Sequence, residues 1–272
     1  MWHLTIAYNG TQYAGWQIQP EAKTVHGEIQ TRLRRLFRDE ELTMHGTSRT
    51  DAGVHAIDQH ATFTVGDKAK NMVPARLQQL LNRWLPSNIR IVRVTNEPAS
   101  FHARHCAVAK AYVYAIHNGL LCSPFGFPYM WNVKGNLNID GLMRAASRFV
   151  GKHDFAVFSA NPRRQLTSTV RNIYRLDVCR NGANFYFIVI GDAFLYKMVR
   201  TLIGYLVVNV GLNHGWHPGE QENLFKAGVR PPWIRTAPPE GLFLTKVFFE
   251  KDAWIGYKPI LPPHHWQAAP QS

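Results

Sequence analysis

The sequence predicts an α+β protein made of two split β-α-β halves that share a central, mainly antiparallel sheet with helices on the outside. Three observations lead to this class. The chain has 272 residues, of which 46% are hydrophobic and 18% are charged, so a sizeable core can form. Some short stretches alternate apolar and polar residues as strands do, and others repeat apolar residues every three or four positions as helices do. The same order of stretches occurs twice along the chain.

The first half begins with a predicted strand over residues 2–8, where apolar and polar side chains alternate. Apolar residues then recur four, four and three positions apart from Val25 to Leu36, which predicts an amphipathic helix. The opposite face of this helix carries arginines. Residues 42–44 then mark the start of a second strand.

A third extended stretch covers residues 56–65, with Phe63 on its apolar face. Pro74 stands where a first-turn proline belongs, and apolar residues continue this helix to Trp84. Residues 89–94 alternate and close the first half as a strand. The predicted order of the first half is therefore β-α-β-β-α-β.

The second half repeats this theme with longer connections. Its predicted strands cover 106–116, 169–179, 184–191 and 242–250, and its predicted helices cover 139–150, 194–211 and 219–227. No low-complexity block separates the halves. We therefore expect residues 1–105 and 106–257 to form the two sides of one cleft, followed by a proline-rich tail over 258–272.

The charge balance gives the first indication of function. The formal net charge is +13, which favours a polyanionic partner, and nucleic acid is favoured over an anionic membrane surface. No run approaches the roughly 20 apolar residues that cross a bilayer, and the first residues do not resemble a signal peptide. Three widely spaced cysteines suggest a reducing compartment without a disulfide framework, so we expect a cytoplasmic protein.

Sequence motifs for common cofactors and metals are absent. The chain has no G-x-G-x-x-G after a strand, no G-x-x-x-x-G-K-[ST], no C-x-x-C and no H-E-x-x-H. The pairs His102/His105 and His264/His265 are the nearest approach to a ligand cluster, but no acid or cysteine accompanies them at metal-site spacing. We interpret them as surface or tail histidines and expect no metal.

The segment from Gly46 to Ala56 concentrates hydroxyl, charged and glycine residues between two extended stretches. Asp51 within it can belong to a polar turn, or it can form a surface ion pair of small stabilising effect with Arg49. The functional alternative is a carboxylate that basic and hydroxyl partners hold on a rigid loop. Pattern and charge alone leave these alternatives open.

This segment resembles the R-T-D-x-G-V-H-A signature of the tRNA pseudouridine synthase A family. Further motifs of that family follow in the expected order: F-H-A-R at 101–104 and K-A-Y-V-Y at 110–114, G-K-H-D-F at 151–155 with F-S at 158–159, T-V-R at 169–171, F-L-Y-K-M-V-R at 194–200, and A-P-P-E-G-L at 237–242. The resemblance extends from Tyr8 to Phe248. One departure is Ser48, which stands where many members have glycine, and a serine there is strained if the position needs a positive φ.

The resemblance implies an isomerase that converts uridine to pseudouridine at positions 38 to 40 in the anticodon stem-loop of tRNA. The reaction is an internal rearrangement, so no cofactor is implied. A homodimer and a tRNA partner are implied as well. Two alternatives from other classes are a non-catalytic tRNA-binding or tRNA-folding protein on the same fold, and a nuclease or phosphodiesterase. The nuclease requires metal-binding carboxylates or a histidine pair, and the sequence shows no such cluster.

The resemblance also assigns site residues. Asp51 matches the essential aspartate, which can attack C1′, add to the uracil ring or remove a C2′ proton. Arg200 matches its basic partner, and Arg49 matches the signature arginine that holds phosphate or the flipped-out nucleotide. Tyr112 matches the tyrosine that stacks on the extruded base, and Leu244 matches an apolar residue near that base.

Each supporting assignment has an ordinary structural alternative. Arg200 can line an apolar helix, Tyr112 can pack in a strand, and Leu244 can be a core residue. Tyr114 has the same orientation as Tyr112 by period two and is a weaker candidate. Basic residues that can grip the RNA backbone are Arg163, Arg164, Lys152, Arg171 and the arginines of the first helix.

Overall fold

The computed structural model describes residues 1–66, 71–160, 167–212 and 217–261. The strands in this part of the chain are β1 (Trp2–Tyr8), β2 (Met44–Gly46), β3 (His55–Phe63), β4 (Ile89–Asn96), β5 (Ala109–Asn118), β6 (Trp131–Val133), β7 (Gly151–Asp154), β8 (Val170–Asn181), β9 (Asn184–Gly191) and β10 (Leu242–Phe248). The helices are α1 (Val25–Phe37), α2 (Pro74–Trp84), α3 (Ala103–Cys106), α4 (Ile139–Ser147), α5 (Met198–Tyr205) and α6 (Pro218–Ala227).

The chain divides into two compact units. Unit 1 contains Met1–Val108 together with the returning segment Phe243–Ala253, and unit 2 contains Ala109–Leu242 and the residues from Trp254 onward. Both units combine β-strands with α-helices, which confirms the predicted α+β class.

Unit 1 is built on a sheet with the strand order β4-β1-β3-β10, and β2 also pairs with β3. Strand β1 runs antiparallel to both of its neighbours, so Leu4 lies opposite Ala61 on one side and Val94 on the other. Strand β10 is the exception, because it runs parallel to β3. Helices α1 and α2 contact each other, and α2 also contacts β4. Val25, Ile29 and Leu33 of α1 and Leu77 and Leu81 of α2 are fully buried.

The two longer helices of unit 1, α1 and α2, begin and end where local chemistry predicts. The Thr24 hydroxyl accepts a hydrogen bond from the Gly27 N–H at 3.2 Å and caps α1, which ends at Arg38 in the left-handed conformation. Pro74 occupies the first turn of α2, where its missing N–H costs no hydrogen bond.

A chain of polar side chains crosses the sheet of unit 1. His3 Nε2 lies 2.8 Å from His60 Nδ1, and His60 Nε2 lies 3.1 Å from Asp58 Oδ2. The same Asp58 oxygen accepts a hydrogen bond from the Val247 N–H at 2.9 Å, so it ties β10 to β3. Burial by itself raises the pKa of Asp58, but the hydrogen bond and charge of His60 and the Lys246 ammonium lower that pKa overall.

Unit 2 contains the antiparallel strand order β5-β9-β8-β7, with β6 added in parallel beside β5. Helix α4 contacts β8. The largest fully buried side chains of this unit are aromatic: Tyr114, Phe149, Phe155, Phe158, Phe185, Tyr186, Phe187 and Tyr205. Their burial gives unit 2 a core of its own.

The predicted helix over 194–211 is wrong at its start. Helix α5 begins only at Met198, because Lys197 has φ of 57° and ψ of 11°, which is the left-handed conformation and interrupts a right-handed helix. After Tyr205 the helix continues as a wider π-helical segment over Leu206–Gly211. Phe194 therefore lies on an irregular segment and not on a helix.

The remaining predicted elements are present, with ends shifted by a few residues. The second strand extends over Met44–Gly46, beyond the predicted 42–44. The short elements α3, β6 and β7 were not predicted, because three or four residues are too few to display a period. No helix in the described ranges is long and apolar enough to cross a membrane. Arg163, Arg164, His264 and His265, together with the end of the predicted tail, lie outside the described residues.

Candidate active site

Asp51 lies in a turn between β2 and β3 of unit 1. The side chain of Arg49 in the same turn is exposed, whereas Asp51 is half-buried. The Asp51 carbonyl accepts a hydrogen bond from the Val54 N–H at 3.2 Å, and Gly53 has φ of 79°. A glycine is favoured at this point because a side chain rarely adopts a positive φ.

The segment after β1 interlocks with this turn through the main chain. The Gly53 N–H donates to the Tyr13 carbonyl at 3.3 Å, and the Trp16 N–H donates to the Thr50 carbonyl at 3.1 Å. Gly15 has φ of +94°, and a Cβ atom there would lie 2.6 Å from the Thr50 carbonyl oxygen. The close approach of the two backbones therefore requires glycine at position 15.

Side-chain and main-chain hydrogen bonds hold the residues on the N-terminal side of Asp51. The hydroxyl groups of Thr50 and Tyr8 lie 2.7 Å apart, and both residues are buried. Gln59 Nε2 donates to the Ser48 carbonyl at 2.7 Å, and the Thr47 N–H donates to the His60 carbonyl at 2.8 Å. The turn that presents Asp51 is thus held by hydrogen bonds to residues outside it.

Ser48 is compatible with this turn. Among the described residues, the non-glycine residues with positive φ are Glu21, Arg38, Lys197 and Asp252, so the Ser48 position does not demand the left-handed conformation. The sequence-based expectation of strain at Ser48 therefore does not hold.

His55 and Leu244 lie where the turn enters β3. His55 Nδ1 accepts a hydrogen bond from the Gly10 N–H at 3.1 Å, and its ring stacks on Phe243 with centroids 4.6 Å apart. Leu244 is paired with Ala56 in the register between β10 and β3 and is fully buried. The structure thus places Leu244 beside the start of β3, opposite a residue five positions after Asp51, and inside the core of unit 1.

Tyr112 belongs to the β5 strand of unit 2 and is buried. It lies opposite Val189 in the antiparallel register with β9. Its ring meets that of Phe194 edge-to-face, with centroids 5.2 Å apart. The irregular chain before α5 is what brings Phe194 to this position, so the break at Lys197 contributes to the surroundings of Tyr112.

Arg200 belongs to α5 of unit 2, where its side chain is 9% exposed. Its Nε donates to the Ala237 carbonyl at 2.9 Å, and the Ala237 N–H donates back to the Arg200 carbonyl at 3.0 Å. These two bonds join α5 to the segment that leads into β10. A buried guanidinium needs such acceptors, because an unsatisfied buried charge is strongly unfavourable.

Tyr114 is fully buried and its hydroxyl donates to the Pro238 carbonyl at 2.8 Å. Burial raises the pKa of Tyr114 well above 10, and Glu240 raises it further while Arg200 opposes the shift. Tyr114 is therefore a neutral donor at physiological pH. The buried hydroxyl of Tyr114, the weaker of the two tyrosine candidates for stacking on the base, thus holds the loop after Ala237.

The predicted site residues thus fall into two sets. Arg49, Asp51 and Leu244 belong to unit 1, and Tyr112 and Arg200 belong to unit 2. Sequence reasoning missed the residues whose side chains hold the Asp51 turn, above all Tyr8, Thr50 and Gln59. In the described ranges, no group of three or more His, Cys, Asp or Glu residues is placed to hold a metal ion. Among the predicted site residues, the Asp51 carboxylate is the group that can act on a nucleotide by acid–base or nucleophilic chemistry.

Comparison with known proteins gives a consistent result. A family model described as tRNA pseudouridine synthase matches residues 4–105 and 145–250. A protein of Protochlamydia amoebophila named tRNA pseudouridine synthase A 1 is 39% identical over 92% of this chain and 96% of its own. A tRNA pseudouridine synthase A of Brachyspira hyodysenteriae is 36% identical over 92% and 98%, and one of Staphylococcus epidermidis is 34% identical over 96% and 98%.

Proposed function

Because the chain belongs to the tRNA pseudouridine synthase family, we propose that it converts uridine to pseudouridine in tRNA, at positions 38 to 40 of the anticodon stem-loop. The bond between uracil N1 and C1′ breaks, the base turns, and C5 bonds to C1′. The proton released from C5 balances the one gained at N1. No atom is added or lost, so this rearrangement needs no redox partner.

One observation carries this proposal for the present chain: the turn that bears Asp51 is braced on both sides. Before Asp51, the Trp16 N–H and the Tyr8 hydroxyl hold Thr50. After Asp51, the Tyr13 carbonyl holds Gly53. A carboxylate that must meet one sugar or ring atom benefits from such positioning, because a misplaced group loses most of its effect. Asp51 acts on the target nucleotide at C1′, at the uracil ring or at the C2′ proton.

The remaining site residues take supporting roles in this proposal. Arg200 is the basic partner that the family resemblance assigns to the aspartate, and an arginine suits this role because its planar guanidinium stays charged and can pair with a carboxylate. The exposed Arg49 binds phosphate beside the flipped-out nucleotide. Tyr112 is the aromatic side chain on which the extruded uracil stacks, and stacking returns part of the free energy lost on flipping. Leu244 is fully buried and takes its ordinary alternative, a core residue of unit 1.

We also propose that the enzyme is a cytoplasmic homodimer. The loop over 119–130 exposes large apolar side chains, with Leu121 88% and Phe125 87% exposed. Contiguous exposed apolar side chains are typical of surfaces that bind another protein. A second copy of the chain is the occupant that the family resemblance implies.

Substitution of Asp51 tests the catalytic proposal directly. Asp51→Asn retains the shape of the side chain and removes its charge, so pseudouridine formation should be abolished while the tRNA dissociation constant changes by only a few fold. Mass-spectrometric detection of pseudouridine and filter binding measure these two quantities. Asp140→Asn is the matched control, since Asp140 is exposed on α4 and should retain activity. Appreciable product from the Asp51→Asn enzyme would exclude Asp51 from the catalytic role. A wild-type protein that binds tRNA and forms no pseudouridine would support the non-catalytic alternative instead.

A further inference from the structure

Helices α1 and α2 of unit 1 carry an excess of basic side chains to which the proposed chemistry gives no role. They contain one acidic residue, Glu28, and the arginines Arg32, Arg34, Arg35, Arg76 and Arg83. Five arginines and one glutamate give 5 − 1 = +4. The glutamate is neutralised within the helix, because Arg32 Nη1 lies 2.7 Å from Glu28 Oε2. These two helices therefore carry a net positive charge, although three acidic residues, Asp39, Glu40 and Glu41, follow directly after α1.

An exposed tryptophan lies among these basic side chains. Trp84 ends α2 and remains 39% exposed, although it is a large apolar side chain. The Arg35 guanidinium of α1 is held over its ring, 5.7 Å from the centroid. Arg32 Nε donates to the Trp84 carbonyl at 3.3 Å and fixes the end of α2 to α1. Arg35 and the neighbouring Arg83 are both exposed.

The loop that follows Trp84 connects α2 to the Asp51 turn. Asn88 Oδ1 accepts a hydrogen bond from the Tyr13 hydroxyl at 2.7 Å, and the Asn88 carbonyl accepts one from the Asn9 N–H at 2.9 Å. The Tyr13 carbonyl in turn accepts the Gly53 N–H from the Asp51 turn. The end of α2 and the catalytic turn are thus joined through one intervening segment of the same unit.

We propose that Arg35, Arg83 and Trp84, named here the Trp84 patch, form an RNA contact surface that holds the substrate tRNA outside the catalytic turn. The arginines bind phosphates, and an unpaired base packs on the Trp84 ring and the guanidinium above it. Basic side chains grouped with an exposed aromatic ring are the combination that binds RNA backbone and bases together. This inference rests on the proposed function, which supplies the RNA.

The test uses the full-length protein and an unmodified tRNA transcript. Its dissociation constant is measured by fluorescence anisotropy from low to moderate salt. Arg35→Gln with Arg83→Gln should weaken binding about tenfold and make the slope of log affinity against log salt shallower by roughly 0.7–0.9 for each phosphate that the variant no longer binds. Trp84→Leu should weaken binding about fivefold or more with an unchanged slope, because it removes stacking and no charge. Trp84→Phe keeps an aromatic ring and should retain most of the affinity.

Arg93→Gln is the matched control, because Arg93 is exposed on β4, outside the patch. It should leave affinity and slope near the wild-type values. Thermal melting verifies that each variant is folded, and the arginine pair decides the test if Trp84→Leu does not fold. Folded arginine variants with wild-type affinity and slope overturn the proposal and reduce the Arg35–Trp84 contact to helix packing.

The outcome for the patch can be separated from the outcome for the catalytic proposal. A wild-type protein that forms no pseudouridine, but binds tRNA through the patch, retains this inference and loses the enzymatic function. A wild-type protein that forms pseudouridine, while its patch variants bind tRNA normally, retains the function and loses this inference.

Discussion

Thr50 uses its carbonyl and its hydroxyl on partners outside the turn that it shares with Asp51. Its carbonyl accepts the Trp16 N–H, and its hydroxyl lies 2.7 Å from that of Tyr8. Both hydroxyl-bearing residues are buried, so water does not readily replace a missing partner. The residue before the candidate catalytic aspartate is therefore fixed by interactions that are unfavourable to break.

Thr50→Val should reveal the contribution of this hydroxyl pair. The substitution retains the side-chain shape and removes the hydroxyl, so the free energy of unfolding should fall by about 1–3 kcal/mol. Pseudouridine formation should also slow, because the neighbour of Asp51 is less firmly held. Urea denaturation and initial rates measure the two effects. Thr50→Ser retains the hydroxyl and should lose much less of both, and an equal loss in the serine variant would contradict this account.

At the residue scale, the sequence singles out Asp51 as the candidate catalytic residue, but not the residues that hold its turn. The R-T-D-x-G-V-H-A resemblance singles out Asp51 directly. Tyr8 and Gln59 show no comparable signal, because an alternating strand pattern describes which face a side chain occupies and not which hydroxyl or amide it meets. Their interactions with the turn depend on the register between β1 and β3, which the sequence does not specify.

At the scale of elements, α5 and the segment before β10 approach so closely that only glycine fits between them. A Cβ atom at Gly204 would lie 2.1 Å from the Arg235 carbonyl oxygen. This close approach lies one helical turn from Arg200, whose main chain and side chain both bond to Ala237. The position of Arg200 therefore depends on the spacing between these two elements.

Gly204→Ala should force the two elements apart. We expect a loss of roughly 2 kcal/mol or more in the free energy of unfolding, because backbone atoms must move to relieve the collision. Gly219→Ala is the matched control in α6, where a Cβ atom would meet nothing within 4 Å. That control should be neutral or slightly stabilising, as alanine is favoured over glycine in helices. Chemical denaturation of the two variants compares them, and an equal stability would refute the predicted crowding.

The polar chain across unit 1 predicts how stability depends on pH. Burial lowers the pKa of His3 below its ordinary value of 6.5, and His60 lowers it further, while Glu97 opposes the shift. The unfolded chain therefore binds a proton at this histidine more readily than the folded chain. The contribution of His3 to the free energy of unfolding is fully present above pH 6.5. It falls as the pH drops from 6.5 towards the lower pKa that His3 has in the folded state.

His3→Asn should flatten this dependence. The wild type should lose more unfolding free energy than the variant when the pH is lowered through this range, because the variant has no group to titrate at position 3. His60 and Asp58 remain in both proteins, so the difference reports His3 together with its hydrogen bond to His60. Urea titrations at pH values above and below 6.5 measure it. Parallel losses in the two proteins would rule out the proposed contribution of His3.

Element prediction succeeds where a period extends over several turns and fails where conformation is set by one residue. The helices over Val25–Phe37 and Pro74–Trp84 follow from apolar spacing and terminal residues. The apolar run from Phe194 gives no warning that Lys197 adopts the left-handed conformation. Tertiary interactions decide that position, because lysine has no intrinsic preference for a positive φ.

At the scale of the whole molecule, the exposed loop over 119–130 predicts the oligomeric state. If a second copy covers Leu121 and Phe125, the wild type should have the mass of a dimer by light scattering after gel filtration. Leu121→Glu should shift the protein towards monomer, because a charge buried at an apolar interface is unfavourable. Val229→Glu is the control, since Val229 is also exposed but lies on a different segment. A monomeric wild type would exclude the dimer.

The partner of the last strand in unit 1 cannot be deduced from the order of elements along the chain. The sequence predicts a last strand near 242–250, and a strand there is confirmed as Leu242–Phe248. Local pattern does not state which earlier strand it joins. The structure pairs it in parallel with β3, where His55 stacks on Phe243 and Asp58 accepts the Val247 N–H. Periodicity predicts the type of an element and its buried face, and it does not predict which distant strand pairs with it.

That return has a consequence for the timing of biosynthesis. Residues up to Val108 leave the ribosome long before Phe243–Ala253, which complete the same unit. At about 5–20 residues per second, the intervening stretch takes roughly 7–30 s to synthesise. During this delay the beginning of β3 lacks its β10 neighbour, and His55 beside the Asp51 turn lacks Phe243. In a nascent chain, the segment around the Asp51 turn therefore stays incomplete and the edge of β3 stays unpaired until translation is almost finished. Premature termination leaves both permanently exposed.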